Sequence, residues 1–529
     1  MGMYQYIIYQ YYSAMKKYPK FLLLFIAMGL FLTNCSNDDN ILPDVDPEQK
    51  PNPEKQKTVA DYPVQDFMWQ AMNFFYFWQA DVPNLADNKF SGLEDPDYIS
   101  FLASEDNPTD FFYNDLTYQH RQAVGDDAAI DRFSVVNENY KELVNALQGI
   151  SQSNGLEFNL YLNDDDVGVY GVVTYIMPNS DASSKEIKRG DVFVGVDGQN
   201  LNINNYVNLL FGDASSYTLN MADIDGKVIE DNGKRVPLDK IVDFSENPIL
   251  IHKVIEQGDE KIGYLMYNGF LAAYDDELND VFGDFSTQGI DELILDFRYN
   301  PGGRVSSAVQ IASSIYITDT TAIFIRPSVN KNLQDTFFGA PDKFTDVTID
   351  SKTPLNELGL NRIYVLTSRS TASASELVIN GLEPFVDVVQ IGTTTTGKSE
   401  FSYTLVDDSE GSFLYDPQRE QFINPDNQWA LQPLIGKNAN ADGFSGYENG
   451  LVPDFEIKED IENLGVLGDE NERILAFTLS IISGDTAKRS FEDVLPVDYL
   501  TNSKMFKPAG DNMFMDGLIK PSALTSIQK

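Results

Sequence analysis

The stretch Ser370–Lys398 reads STASASELVINGLEPFVDVVQIGTTTTGK, and the fold is decided here. The β-branched and aromatic run Ile363–Thr367 leads into it as a buried strand. A small polar loop then exposes several hydroxyls, and an apolar-periodic helix begins at about Ala374 with Leu377 and Val378 turned inward. A second strand, Val386–Ile391, runs on through Thr393–Thr396 to the turn Gly397-Lys398. Strand–helix–strand order of this kind recurs between about residues 260 and 400 and predicts a parallel α/β core. Two chemistries fit the stretch. Ser373 with Glu376 three positions on makes a capping box, the ordinary chemistry of a helix N-terminus. Alternatively, Ser373 is a nucleophile and Lys398 its base.

The composition narrows the choice. With 529 residues the chain has room for roughly three domains of about 150 residues each. Its 81 acidic and 38 basic side chains leave a net charge of −43, which repels phosphate backbones and excludes nucleic acid as a partner. The lone cysteine, Cys35, rules out an intrachain disulfide and a cysteine zinc cluster. Of two histidines, His120 sits in the polar segment YQHRQ and His252 in the apolar run ILIHKVIE, neither a catalytic motif. A serine–lysine pair is then the economical way to hydrolyse an amide. Such a lysine must be buried to lose its proton near neutrality. A rival pair, Ser328 and Lys331, lies in a polar loop without companion motifs.

Upstream, Lys16, Lys17 and Lys20 precede the apolar run Phe21–Leu32, the order of a secretory leader, and the run is short for a bilayer span. It ends at Leu32-Thr33-Asn34-Cys35, which resembles a bacterial lipoprotein signal whose cysteine is lipidated. Residues 1–34 are read as that leader, with Met15 as an alternative start, and an uncleaved anchor is the other reading. Residues 35–58, rich in Asp and Pro, form an extended tether. Acidic residues just after the cysteine resemble the export signal of Bacteroidetes surface lipoproteins, and a solvated linker explains them equally well.

Residues 59–150 are helical, with Val64, Phe67, Met68, Ala71, Phe74, Phe75 and Trp78 on one apolar face. From about Gly155 the period changes to two, and residues 151–245 read as a small β domain. Its order, GLEF then IMPNSDASSKEIKRGDVFVGVDGQ, resembles a PDZ domain, which captures chain ends at a sheet edge. The resemblance makes Gly155, Leu156 and Phe158 the peptide-binding loop, with Glu157 where that family usually has glycine. A β domain without peptide binding is the alternative. Residues 246–482 form the core, in which ELILDFRYNPGGRVSSAVQIASSIY places a strand at Leu293–Phe297, a tight loop at Asn300–Gly303 and a helix after it. Backbone N–H groups at such a turn can hold an oxyanion, although strand–glycine–helix turns occur throughout α/β proteins. Asn438-x-Asn440-x-Asp442-Gly443 imitates a calcium loop, but Asn449 stands where the bidentate glutamate belongs, so it reads as a turn and no metal is expected. The tail 483–529 is too irregular to interpret.

TASASELVINGL followed by TTTTGK, with 25 positions from Ser373 to Lys398, resembles the C-terminal processing peptidases, or tail-specific proteases. LILDFRYNPGG is similar to that family's glycine loop, and GLVPDFEI at Gly450–Ile457 to a late motif. The resemblance implies an α/β multidomain protein: a crotonase-like α/β catalytic core, a PDZ-like β domain and an N-terminal helical domain. It implies Ser373 as nucleophile, Lys398 as general base, and the backbone of Ala374, Gly302 and Gly303 as oxyanion hole, with no cofactor. Many members carry a glutamine four residues past the lysine; Ser402 stands there and is the candidate base-orienting residue. The expectation is an envelope serine endopeptidase, anchored to a membrane through Cys35 and acting on unfolded or tail-exposed proteins and peptides. The alternative is a catalytically silent peptide-binding lipoprotein retaining the fold.

Overall fold

The computed structural model describes residues 57–226, 228–316, 319–408, 410, 413–484 and 494–515. The leader 1–34, Cys35 and the tether as far as residue 56 lie outside the described residues. The chain divides into a smaller unit, up to Trp69 and Asp81–Arg132, and a larger one, Gln70–Ala80 and Phe133 onward.

The smaller unit is built from short, well-capped helices. Asp95 and Asn107 accept from Asp97 N and Thr109 N at 2.9 Å, each just before a proline that suits a helix's first turn. Trp69 packs edge-on against Tyr98 at 5.0 Å, and the Tyr98 hydroxyl donates to Asp66 at 2.5 Å. His120 is a structural residue: Nδ1 accepts from Gln122 N at 3.1 Å and the ring stacks on Tyr113.

The larger unit centres on a six-stranded sheet in the order Ile249–Gln257, Glu260–Tyr267, Glu292–Asp296, Arg362–Thr367, Asp387–Gly392, Phe455–Glu456. Only the first pair is antiparallel. Central strands such as Leu293-Ile294-Leu295 are apolar throughout because both faces are covered. On one side Ile262, Tyr264, Met266, Ile294, Leu366 and Ile391 pack with Ile474, Leu475 and Leu479 of the helix Arg473–Ile482. A four-stranded sheet, which includes Leu434–Asn440 and Glu400–Ser402, lies next in the chain's topology. His252 lies exposed on the edge strand Ile249–Gln257. In the calcium-like segment, Asn440 Oδ1 accepts from Asp442 N and Phe444 N and closes a turn.

Residues 133–150, assigned from sequence to the helical domain, belong to the larger unit. Val135–Asn137 pairs with Ala430–Gln432, and Tyr140, Leu143 and Leu147 pack with Val406, Ile423 and Ala430. A second large sheet runs Asp498–Asn502, Leu156–Leu162, Val169–Ile176, Val192–Val196, Ser216–Asp225, Val228–Asp239. Its first strand comes from the tail that resisted interpretation from sequence.

A buried charge network joins this sheet to the core. Arg298 is fully buried and donates to Asp296 at 2.7 Å and Glu472 at 2.9 Å. Arg189 donates to Thr174 O, the Tyr299 hydroxyl and Glu459 at 2.6–2.7 Å. Replacing Arg298 by Met would leave two buried carboxylates uncompensated. Urea unfolding should then show a loss of about 3–5 kcal/mol; a change under about 1 kcal/mol would mean the network contributes little.

Candidate active site

The strand Arg362–Thr367 delivers the chain into a loop stitched to the glycine loop beneath it. Thr371 Oγ1 donates to Phe297 O at 2.8 Å, and Ala372 N and Ser375 Oγ both donate to Asn300 O at 3.1 Å. Asn300 also donates through Nδ2 to Tyr267 O at 2.8 Å and accepts from Gly302 N at 2.9 Å. The two loops are in direct contact. A Cβ on Gly302, whose φ is +112°, would stand 2.5 Å from Ser373 Cβ, so only glycine fits.

Ser373 heads the helix Ala374–Leu382 with φ 65° and ψ −116°, not the extended backbone of an ordinary N-cap. It is fully buried, and its Oγ has no hydrogen-bond partner among the described residues. Its N–H donates to Glu376 Oε2 at 2.7 Å. The same oxygen accepts from Lys398 N at 2.8 Å, while Oε1 accepts from Gly397 N at 2.6 Å and Thr395 Oγ1 at 2.5 Å. One carboxylate thus holds the backbones of both residues singled out from sequence. Burial pushes the Glu376 carboxyl up to about 7, against the Thr395 hydroxyl and three N–H groups that pull it down. Sequence reasoning saw Glu376 only as a cap; its reach to Gly397 and Lys398 has no local signal.

Lys398 is fully buried. Its Nζ donates to Asp511 O at 3.0 Å and to Asn512 Oδ1, and sits 4.3 Å from the centre of the Phe133 ring. The amine is therefore in the hands of the C-terminal segment, and the Ser373 hydroxyl is not bonded to it. Nothing in the sequence marked Asn512.

The expected oxyanion donors separate. Gly302 N–H donates to Asn300 Oδ1 at 2.9 Å within the loop. Gly303 N–H and Ala374 N–H form no hydrogen bond among the described residues. Ser402, the candidate base-orienting residue, bonds to the C-terminal segment and to Gln432. Its Oγ donates to Met513 O at 3.0 Å and accepts from Gln432 Nε2 at 2.9 Å, so its proton is committed to the C-terminal segment. Gln432, fully buried on a neighbouring strand, was missed because it lies 34 positions past Lys398.

Gly155, Leu156 and Phe158 lie at the start of the strand Leu156–Leu162. Gly155 has φ 78°, and the N–H groups of Gly155, Leu156 and Phe158 donate to the hydroxyl of Ser153, Oδ1 of Asn154 and the hydroxyl of Ser503 at 3.0–3.1 Å. The edge beside them is taken by Asp498–Asn502. Among the described residues no group of His, Cys, Asp and Glu could hold a metal ion, and no helix is long and apolar enough to cross a membrane.

Comparison with known proteins identifies the family. Residues 261–456 match the model for peptidase family S41, and residues 63–135 match the peptidase S41 N-terminal domain. A carboxyl-terminal-processing protease from Picosynechococcus sp. is 25% identical over 265 residues, covering 49% of this chain and 58% of its own length. A chloroplastic C-terminal processing peptidase from Tetradesmus obliquus is 27% identical over 250 residues, covering 46% and 50%. The chain thus spans about half the length of the curated relatives it matches. An S41 structure from Bacteroides fragilis superposes with a TM-score of 0.58 at 24% identity, covering 82% of this chain and 99% of that one, which bears on the fold. With two domain models in order and the fold in agreement, the chain belongs to peptidase family S41 and has its α/β multidomain fold with an N-terminal S41 domain.

Proposed function

We propose that the chain is a serine endopeptidase of the C-terminal processing type, with Ser373 as nucleophile and Lys398 as general base. The observation that carries this reading is the buried Ser373 hydroxyl: it has no hydrogen-bond partner among the described residues, on a left-handed backbone, while Glu376 holds Ser373 and Lys398 together. In the reaction, Ser373 Oγ attacks the scissile carbonyl and its proton passes to the neutral Lys398 amine. The N–H groups of Ala374 and Gly303 receive the developing oxyanion. Lys398 then protonates the leaving amine, and water, deprotonated by the same group, releases the acyl chain. Glu376 is a positioning residue.

The remaining parts of the reading are supported by architecture and pattern. The core is crotonase-like, and the β domain of residues 151–245 is PDZ-like, since its strand Leu156–Leu162 offers an edge that a further strand already occupies. Substrates are unfolded or tail-exposed proteins. Cys35 carries a lipid that anchors the enzyme in the cell envelope.

The test is cleavage of unfolded casein by the protein beside Ser373→Ala and Lys398→Ala. Each variant should lose at least about 10³-fold in rate, and turnover by the parent should climb with pH as the amine becomes neutral. Equal cleavage by all three would sink the assignment. Glu376 gives a separate expectation. The native state holds this proton more tightly than the unfolded chain, so its contribution is complete below about pH 4.5 and lost as pH rises through about 7. Relative to Glu376→Gln, the parent should lose up to about 3 kcal/mol of stability between pH 4.5 and 8 in urea unfolding; parallel curves would count against it.

A further inference from the structure

The C-terminal segment meets the edge of Leu156–Leu162, the Lys398 amine and the backbones of Gly303 and Ser402 in turn. Asp498–Asn502 adds as an antiparallel strand to Leu156–Leu162, with Tyr499 opposite Tyr161 and Asn502 opposite Asn159. Ser503 Oγ then donates to Glu157, and Lys507 donates to Glu157 at 3.1 Å and Glu246 at 3.0 Å. Lys504 donates to Glu246 at 3.2 Å and Asn268 O at 2.7 Å. Glu157, the residue that departs from the usual glycine, is thus the anchor for this chain's own segment. Next, Asp511 and Asn512 take the Lys398 amine.

The segment finally runs between the glycine loop and the strand Glu400–Ser402, a cleft in which it is bonded on both sides. Phe514 N donates to Gly303 O at 3.1 Å and Phe514 O accepts from Val305 N at 2.9 Å. On the opposite side Met513 O accepts from Ser402 N at 2.9 Å, and Met515 N donates to Ser402 O at 3.0 Å. Most of these cleft bonds are to backbone, so any extended chain could make them. With the segment in place Ser373 and Lys398 are fully buried, and a polypeptide cannot reach them as the segment stands.

We propose that residues 498–515 are an intramolecular substrate mimic, which fills the peptide-binding edge and the catalytic cleft together until an extended chain from a substrate displaces it. The inference rests on the peptidase reading and adds its control: engagement of the edge of Leu156–Leu162 by a substrate tail is what frees Lys398. The segment makes the site latent rather than completing it.

The full chain is compared with Lys507→Ala, which removes two ion pairs at the anchor, and Phe514→Pro, which removes the N–H given to Gly303. Three quantities are read: casein turnover, the rate at which diisopropyl fluorophosphate labels Ser373, and hydrogen exchange at amides 511–515. Both variants should exchange faster and gain about tenfold in turnover and labelling, as the competent fraction rises. A synthetic peptide of residues 498–515, added in trans, should reverse the gain. Faster exchange with unchanged or lower turnover while the parent still cleaves would overturn the inference and make the segment part of the catalytic machinery. Unchanged exchange in both variants would overturn it as well. If the segment opens yet no protein cleaves or labels, the peptidase reading fails. The mimic is then judged by exchange in the parent alone: unfolded casein that does not speed it overturns the inference.

Discussion

Everything at the site depends on one buried carboxylate. Glu376 gathers four donors, three of them backbone N–H groups, and two of these belong to Ser373 and Lys398. Placing a carboxylate in so dry a spot is costly unless hydrogen bonds replace its water. The donors offset part of that cost, burial still holding the carboxyl up at about 7, and in return their own positions are fixed. This explains why one motif reads both as a helix cap and as catalysis. The cap is real, but its carboxylate reaches across to a second loop, and the serine hydroxyl that a simple cap would occupy has no hydrogen-bond partner among the described residues.

The local elements were legible because hydrophobic period and turn chemistry are local signals. The strand expected at Ile363–Thr367 is observed at Arg362–Thr367, the helix begins at Ala374, and the next strand is Asp387–Gly392 against an expected Val386–Ile391. Contacts between distant elements left no such trace. Asn300 taking the Gly302 N–H and Gln432 reaching Ser402 both depend on how strands are ordered, which apolar periodicity does not encode. The segment 498–515 was silent for a further reason. Much of its pairing is through main-chain groups, which make the same bonds whatever side chains the sequence supplies.

Glycine loop and serine loop also constrain each other sterically. Gly302 and Ser373 approach so closely that neither can shift without moving the other, and Asn300 ties both to the strand Glu260–Tyr267. The core sheet therefore sets the geometry of both loops, and the Ser373 side chain inherits the rigidity of a packed, mostly parallel sheet.

The Arg189 contacts have a consequence for length. By bonding Thr174 of the β domain as well as Tyr299 and Glu459 of the core, Arg189 fixes the span between the edge of Leu156–Leu162 and the cleft at Lys398. The chain's own segment bridges that span with the eight residues 503–510 between its paired strand and Asp511. The fixed distance works as a gauge for that segment: a residue added or removed within 503–510 would carry Asp511 and Asn512 off the Lys398 amine while Asp498–Asn502 stayed paired at the edge.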